Sequence, residues 1–351
     1  MRLVATESDR DLRAVWRELL TERAGPGLWP ALVEAGVLGL PFAEELGGAG
    51  ATLAEAGIFA EEAGAALCPS VVFSTWAFGI AVDRLGGAWR SRLIPRIADG
   101  TLRGTVAIAS PWDAREVTPS LQLTGRTGES RVTGTCAYVL DADLADLVLA
   151  TAAAPDGTPA AVLLRPGDGV RVEPMPTNAG DRFARLHVGA SVDAADLVTG
   201  VDAADVRVVA LTVRALQCAQ MVGGAQAVLE RTVAYTCGRE QFGRPIAGFQ
   251  AAQHIVADVH IALAAARLCT RSAIAVHLAG RPATRETAIA VMHAARAYRQ
   301  ATLQAHQLHG GMGYVVETDL HRWSEHAREL GVLGGGPDVA SRWLEEEVCR
   351  A

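Results

Sequence analysis

Three long segments with helical apolar spacing, at 206–237, 250–279 and 284–308, fill most of the chain beyond residue 203. They restrict the chain to folds that end in a helical bundle. Their alanine-rich apolar faces run all round in places, the pattern of helices buried against one another. Glycine is abundant, at 36 of 351 residues, and aromatic residues make up only 5%. Small side chains let helix axes approach closely, which suits such a bundle.

The period changes between about 104 and 202. Runs at 105–109, 121–125, 131–139, 147–151, 160–164 and 170–174 carry β-branched residues. Turn residues separate them: Gly128, Pro155-Asp156-Gly157 and Pro166-Gly167-Asp168-Gly169. Short strands at this spacing predict an antiparallel β domain. Ahead of it the pattern is helical over 9–22, 29–36, 53–66 and 88–99, with a glycine-rich loop at 41–50. The expected fold is mainly α with a middle β domain. Its parts are an N-terminal helical domain at 1–103, the β domain at 104–202 and a C-terminal four-helix bundle at 203–351.

Charge and cysteine usage remove several function classes. Net charge is −7 with both signs spread along the chain, and without a basic patch nucleic acid is not an expected partner. The cysteines Cys68, Cys136, Cys218, Cys237, Cys269 and Cys349 form no CxxC pair. Neither a disulfide framework nor a structural zinc site is expected, and a reducing, cytoplasmic location is. A charged opening up to Arg23 predicts no secretory leader. The uncharged stretch at 63–82 is broken by Pro69 and Ser70, so it reads as a buried helix behind a loop and not as a membrane span. His306 and His309 lie three apart on a helix, but no acidic or cysteine partner completes a metal set.

Two late segments carry the chemistry. The first runs Tyr235-Thr-Cys-Gly-Arg239-Glu-Gln-Phe242-Gly243-Arg-Pro245-Ile246, followed by Phe249-Gln250-Ala-Ala-Gln253-His254 and Asp258. The second is Gln307-Leu-His-Gly310-Gly311-Met-Gly313-Tyr314. Arg239 offers a planar cation suited to a pyrophosphate. Gln250 and Gln307 can both donate and accept hydrogen bonds toward a ribose or an adenine. Gly310, Gly311 and Gly313 remove side chains, so backbone amides can approach phosphate oxygens. A GGxG of this kind is no Rossmann motif, because no strand precedes it.

In order and spacing these segments resemble the signatures of the acyl-CoA dehydrogenase family. The N-terminal zone agrees: Leu32-Val-Glu-Ala-Gly36-Val-Leu38-Gly39-Leu40, then Glu44-Glu45-Leu46-Gly47-Gly48, then Glu61-Glu62-Ala63-Gly64. The resemblance implies that Arg239, Phe242, Gln250, Gln307, Gly310, Gly311 and Gly313 contact the adenine and pyrophosphate half of an FAD held mainly by a neighbouring subunit. It also implies acyl-CoA as substrate and an electron-transferring flavoprotein as acceptor. Family stretches that hold the flavin ring align with Ala109–Arg115 and with Tyr138-Val139-Leu140, and neither keeps the hydroxyl and glycine donors. The family's catalytic carboxylate aligns with Gly334, and its minority position aligns with Val213, beside an Arg214 that would pair with such a base. Glu325, Glu329 and Asp338 are the acids near enough in sequence to replace it.

What this chain would lend to a neighbour is kept, while its own site lacks parts. It is therefore similar to the non-catalytic subunit of a heteromeric acyl-CoA dehydrogenase. Such heterotetramers pair it with a catalytic chain and are associated with bulky thioesters such as steroid side chains. Two alternatives stay open: a self-sufficient dehydrogenase with an atypical base, and a flavin-free scaffold or acyl-CoA-binding protein.

Overall fold

A computed structural model describes residues 6–22, 25–125, 130–279 and 283–349. The expected turn at Gly128 lies outside the described residues. Helices come first: α1 (Glu7–Glu22), α2 (Leu28–Glu34), α3 (Leu53–Ala65), α4 (Val71–Leu85) and α5 (Trp89–Ala98). Eight strands follow: β1 (Gly104–Ala107), β2 (Leu121–Thr124), β3 (Ser130–Leu140), β4 (Leu147–Ala153), β5 (Pro159–Leu164), β6 (Val170–Met175), β7 (Phe183–Val192) and β8 (Leu197–Thr199). Helices then return as α6 (Ala203–Gly238), α7 (Gln250–Leu278), α8 (Thr284–His309), α9 (Leu320–Val332) and α10 (Gly336–Cys349). Between α6 and α7 lie two short strands, β9 (Glu240–Gln241) and β10 (Arg244–Pro245). Helices, a central sheet and C-terminal helices are the predicted order.

The chain forms two compact units. One contains α1, Gly57–Cys68 and the chain from Arg214 onward; the other contains 25–56 and Pro69–Val213.

In the second unit the strands are ordered β6-β7-β3-β2-β4-β5-β8, with β1 paired to β4. Most pairings are antiparallel, but β1 and β2 both run parallel to β4, so the sheet is mixed. Every residue of β4 except Ala153 is buried. Leu147 and Leu149 enter a core with Phe78, Leu85, Trp89 and Leu93 from α4 and α5. Val148, Ala150 and Ala152 enter a second core with Leu121, Val132 and Leu186. A strand covered on both faces reads as a continuous apolar run, because successive side chains point to opposite faces.

The uncharged stretch at 63–82 is divided as its proline suggests. α3 ends at Ala65 and α4 starts only at Val71. Ser70 precedes α4, and Asp141 lies against this helix start. Its Oδ1 accepts from Ser70 Oγ and its Oδ2 from Ser74 Oγ, each at 2.8 Å. Asp141 is buried, at φ 52°. Burial raises its pKa; the two serine hydroxyls pull it down but do not cancel the effect. A carboxyl with a raised folded pKa favours folding most when protonated. That contribution is complete below the ordinary aspartate range and is lost as pH rises through the folded value. Asp141→Asn should therefore be at least as stable as wild type at pH 7, and wild type should gain on it as pH falls to 5. Asp141→Ala should lose about 1–3 kcal/mol, because both hydroxyls lose their acceptor. Urea titrations at the two pH values check both statements, and a wild-type advantage over the asparagine variant that grows with pH would refute them.

In the first unit α8 packs against α7, α9 and α10. It buries Ala288, Val291, Ala295, Tyr298, Thr302 and Ala305 at helical spacing. Close helix approach follows from glycine here. A Cβ built on Gly64 would lie 2.1 Å from Gln220 O, and one built on Gly223 would lie 1.7 Å from Glu61 O. Among the described residues α6 and α7 are long and apolar enough to cross a membrane by length and composition. The most apolar window of α6 is 78% buried inside the protein.

Candidate functional site

The two late segments meet in the first unit. α6 ends one turn beyond Tyr235, where Arg239 N–H still donates to Tyr235 O at 2.8 Å. The chain then folds back through β9 and β10, which pair antiparallel. Phe242 and Gly243 form the tip, with φ of 55° and 80°. Two successive positive φ values suit a tight hairpin turn, and the glycine makes the second one cheap. Phe242 is 92% exposed at this tip. Behind it the Arg244 guanidinium lies 4.0 Å from the centre of the Phe249 ring. Arg239 is exposed, and its guanidinium has no ion-pair partner among the described residues. Gln250 is exposed as the first residue of α7.

The glycine segment adjoins this hairpin through aromatic stacking. The Tyr235 and His309 rings stack at 4.1 Å, and Tyr235 Oη donates to His309 O at 3.4 Å. α8 ends there, and Gly310 takes φ 58°, ψ −135°, which a side chain would strain. Side chains built on Gly310 and Gly311 would meet nothing within 4 Å, so the outer side of the turn is open. Gly313 is different: its Cβ would lie 3.0 Å from His306 backbone atoms, so its glycine serves packing. Gln307 is exposed on the last turn of α8.

His306 and His309 hold this turn and are not paired with each other. His306 Nδ1–H donates to Gly313 O at 2.7 Å, and its Nε2 lies 2.6 Å from Ser324 Oγ. Its ring also stacks on Tyr314 at 5.0 Å. This clamp is absent from the motif reading, where the only available signal is two histidines three apart at a helix end. Among the described residues no group of three or more His, Cys, Asp and Glu side chains is placed to hold a metal.

An exposed arginine without a counter-ion, an open glycine turn and free carboxamides suit the pyrophosphate and ribose half of an FAD. The segments aligned with the flavin ring do not suit the other half. In the Ala109–Arg115 turn, Ser110 Oγ accepts from Trp112 N–H and Asp113 Oδ1 accepts from Arg115 N–H, so both oxygens are engaged by the turn's own backbone. Trp112 is 64% exposed and sits edge-on to Tyr138, with ring centres 5.2 Å apart. Tyr138 takes φ 57° at a bulge in β3 between Cys136 and Val139.

The positions aligned with the catalytic carboxylate also have a defined geometry. Gly334 takes φ 60°, ψ 23° in the turn Leu333–Gly335. Asp338 is exposed on the first turn of α10, and Glu329 has a buried Oε1 without a hydrogen-bond partner among the described residues. Arg214 meets neither solvent nor an acid among the described residues: it is 2% exposed, and burial lowers its pKa.

Sequence and fold comparisons agree on the class. Residues 2–101 match the acyl-CoA dehydrogenase N-terminal domain and residues 209–348 the acyl-CoA dehydrogenase C-terminal domain. The acyl-CoA dehydrogenase IpdE2 of Mycolicibacterium smegmatis is 32% identical over 92% of this chain and 88% of its own length. The ChsE4-ChsE5 complex of Mycobacterium tuberculosis contains a chain with TM-score 0.89 and 27% identity, covering 100% of both chains. A chain of the Tcur3481-Tcur3483 steroid acyl-CoA dehydrogenase has TM-score 0.85 and 25% identity, covering 98% of each. The chain belongs to the acyl-CoA dehydrogenase family.

Proposed function

We propose that this chain is the non-catalytic subunit of a heteromeric, FAD-dependent acyl-CoA dehydrogenase. In this reading Arg239, Gln250, Gln307 and the turn from Gly310 to Gly313 hold the adenine and pyrophosphate half of an FAD whose flavin ring lies in a catalytic partner. Bound there, the FAD would supply a hydride acceptor for α,β-dehydrogenation of an acyl thioester, with an electron-transferring flavoprotein as the onward acceptor. This chain supplies charge neutralisation and orientation at the pyrophosphate. The α-proton is removed by the partner's base, since Gly334 and Val213 carry no group that can do so.

The observation that carries the reading is a contrast within one chain. The hairpin and glycine turn present an Arg239 without an ion-pair partner among the described residues, and open backbone. The Ala109–Arg115 turn and Tyr138 instead present aromatic rings, and the turn's Ser110 and Asp113 oxygens accept from its own backbone. The resemblance to heteromeric relatives supports the same assembly.

Two measurements test it. The chain purified alone should show no flavin absorption, and the mixed complex should contain FAD. Arg239→Ala should weaken FAD retention by the complex about tenfold or more, since a charge-assisted contact to a phosphate is lost. Unchanged flavin content in that variant, or FAD that bleaches with an acyl-CoA in the chain alone, would overturn the proposal.

A further inference from the structure

The turn that follows α8 carries glycine at Gly310, Gly311 and Gly313, with only Met312 between them. Glycine opens the backbone to a ligand, but it is also the residue with the most conformational freedom to lose. A turn of this composition presents one defined surface only where something outside it holds it.

His306 does so from the last turn of α8. Its Nδ1 lies 2.7 Å from Gly313 O. A carbonyl oxygen only accepts, so Nδ1 carries the proton, and in the neutral ring Nε2 is left as an acceptor. Ser324 Oγ on α9, 2.6 Å away, donates to it. The same ring stacks on Tyr314, with centres 5.0 Å apart and planes 24° from parallel. One imidazole therefore holds Gly313 by its carbonyl and Tyr314 by its ring, and α9 holds the imidazole. Gly313 is buried at this contact, whereas Gly310 and Gly311 are exposed, with nothing within 4 Å of an added Cβ. A carbonyl oxygen carries partial negative charge and repels phosphate oxygens, and the clamp engages that of Gly313 on the buried side of the turn.

We propose that His306 is a positioning residue: backed by Ser324, it pre-orders the turn from Gly310 to Gly313 to receive the pyrophosphate of FAD. The inference rests on the reading of this turn as part of an FAD site. What it adds is a residue that sets cofactor affinity through the Gly313 backbone, because a turn ordered beforehand loses no binding free energy to ordering.

The test is titration of the apo mixed complex with FAD, followed by flavin fluorescence, with ADP as a competitor that carries the pyrophosphate but no flavin. His306→Phe keeps a ring beside Tyr314 and removes both hydrogen bonds. It should weaken FAD and ADP alike by about three- to tenfold, the range for the net contribution of a hydrogen bond. His306→Asn places an amide N–H near the Nδ1 position and should recover most of that loss. His306→Gln places its amide near the Nε2 position, meets Ser324 instead of Gly313, and should not. Ser324→Ala removes only the support behind the ring and should weaken both ligands by about twofold; it decides the matter where the His306 variants do not fold. Wild-type affinity in His306→Phe and Ser324→Ala overturns the proposal, and so does equal recovery by glutamine and asparagine. If Arg239→Ala loses FAD while the His306 variants keep it, the FAD site stands and the role of the clamp falls. A wild-type complex that binds neither FAD nor ADP removes the FAD reading and this inference with it.

Discussion

Replacing Gly223 with valine should leave the chain unable to fold stably, and even Gly223→Ala should lower stability by about 3 kcal/mol or more. A Cβ at this position would lie 1.7 Å from Glu61 O and 2.6 Å from Glu61 C, both backbone atoms of α3. A flexible side chain can rotate away from such a clash, but a helix backbone cannot. Relief requires α3 and α6 to separate, and the packed contacts around them would open together. Gly64 makes the reciprocal approach, with its Cβ position 2.1 Å from Gln220 O. Gly238 is the control, since a Cβ there meets nothing within 4 Å. Gly238→Ala should be neutral or stabilising by about 0.4–1 kcal/mol, through lower entropy of the unfolded chain. Urea midpoints of the two alanine variants provide the comparison. Equal midpoints would mean that the helices do not approach this closely.

The helical bundle is legible because its apolar period runs uninterrupted for tens of residues. The predicted 250–279 and 284–308 correspond to α7 at Gln250–Leu278 and α8 at Thr284–His309. The pattern fails where short side chains dilute it. β7 buries Leu186, Val188, Ala190 and Val192 at alternate positions, yet its alanines and glycine hide the alternation among turn residues. α9 and α10 escape for another reason, since both are short, rich in charge and set beside Gly334, Gly335 and Gly336. The parallel pairing of β1 and β2 with β4 is a matter of topology, which periodicity does not encode.

The site divides in the same way. Arg239, Gln307 and the glycines stand out by residue type and spacing, and the structure sets their two segments side by side through Tyr235 and His309. What cannot be seen in sequence is absence. That Arg214 is buried with two nitrogens unpaired among the described residues depends on which side chains fail to reach it. Glu61-Glu62-Ala63-Gly64 illustrates the converse. It reads as a family signature, but its purpose is visible only once residues far along the chain gather around it.

Those residues make Glu61 the side chain whose loss should be felt most. Glu61 Oε2 accepts from Arg13 Nη2 at 2.7 Å and from Arg267 Nε at 3.1 Å, while Oε1 lies 3.9 Å from Arg271 Nε. Glu62 accepts from Arg13 Nη1 at 2.8 Å and from Arg17 Nε at 3.0 Å. Both glutamate side chains are 4% exposed, so water screens little of the attraction. The cluster ties α1 and α7 to α3 at the level where Gly223 presses α6 against the Glu61 carbonyl. Glu61→Gln removes a negative charge that Arg13, Arg267 and Arg271 share. Breaking a buried network from one side costs about 3–5 kcal/mol, a large share of the stability of most domains. The loss should persist at high salt, unlike any loss from cutting the exposed Arg84–Asp205 pair, whose side chains are 47% and 39% exposed. Adding Arg267→Gln should cost less in the Glu61→Gln background than in wild type, because one excess positive charge leaves with it. A double-mutant cycle by urea denaturation at low and high salt measures both. Additive losses that fade with salt would show the cluster to be solvated surface charge.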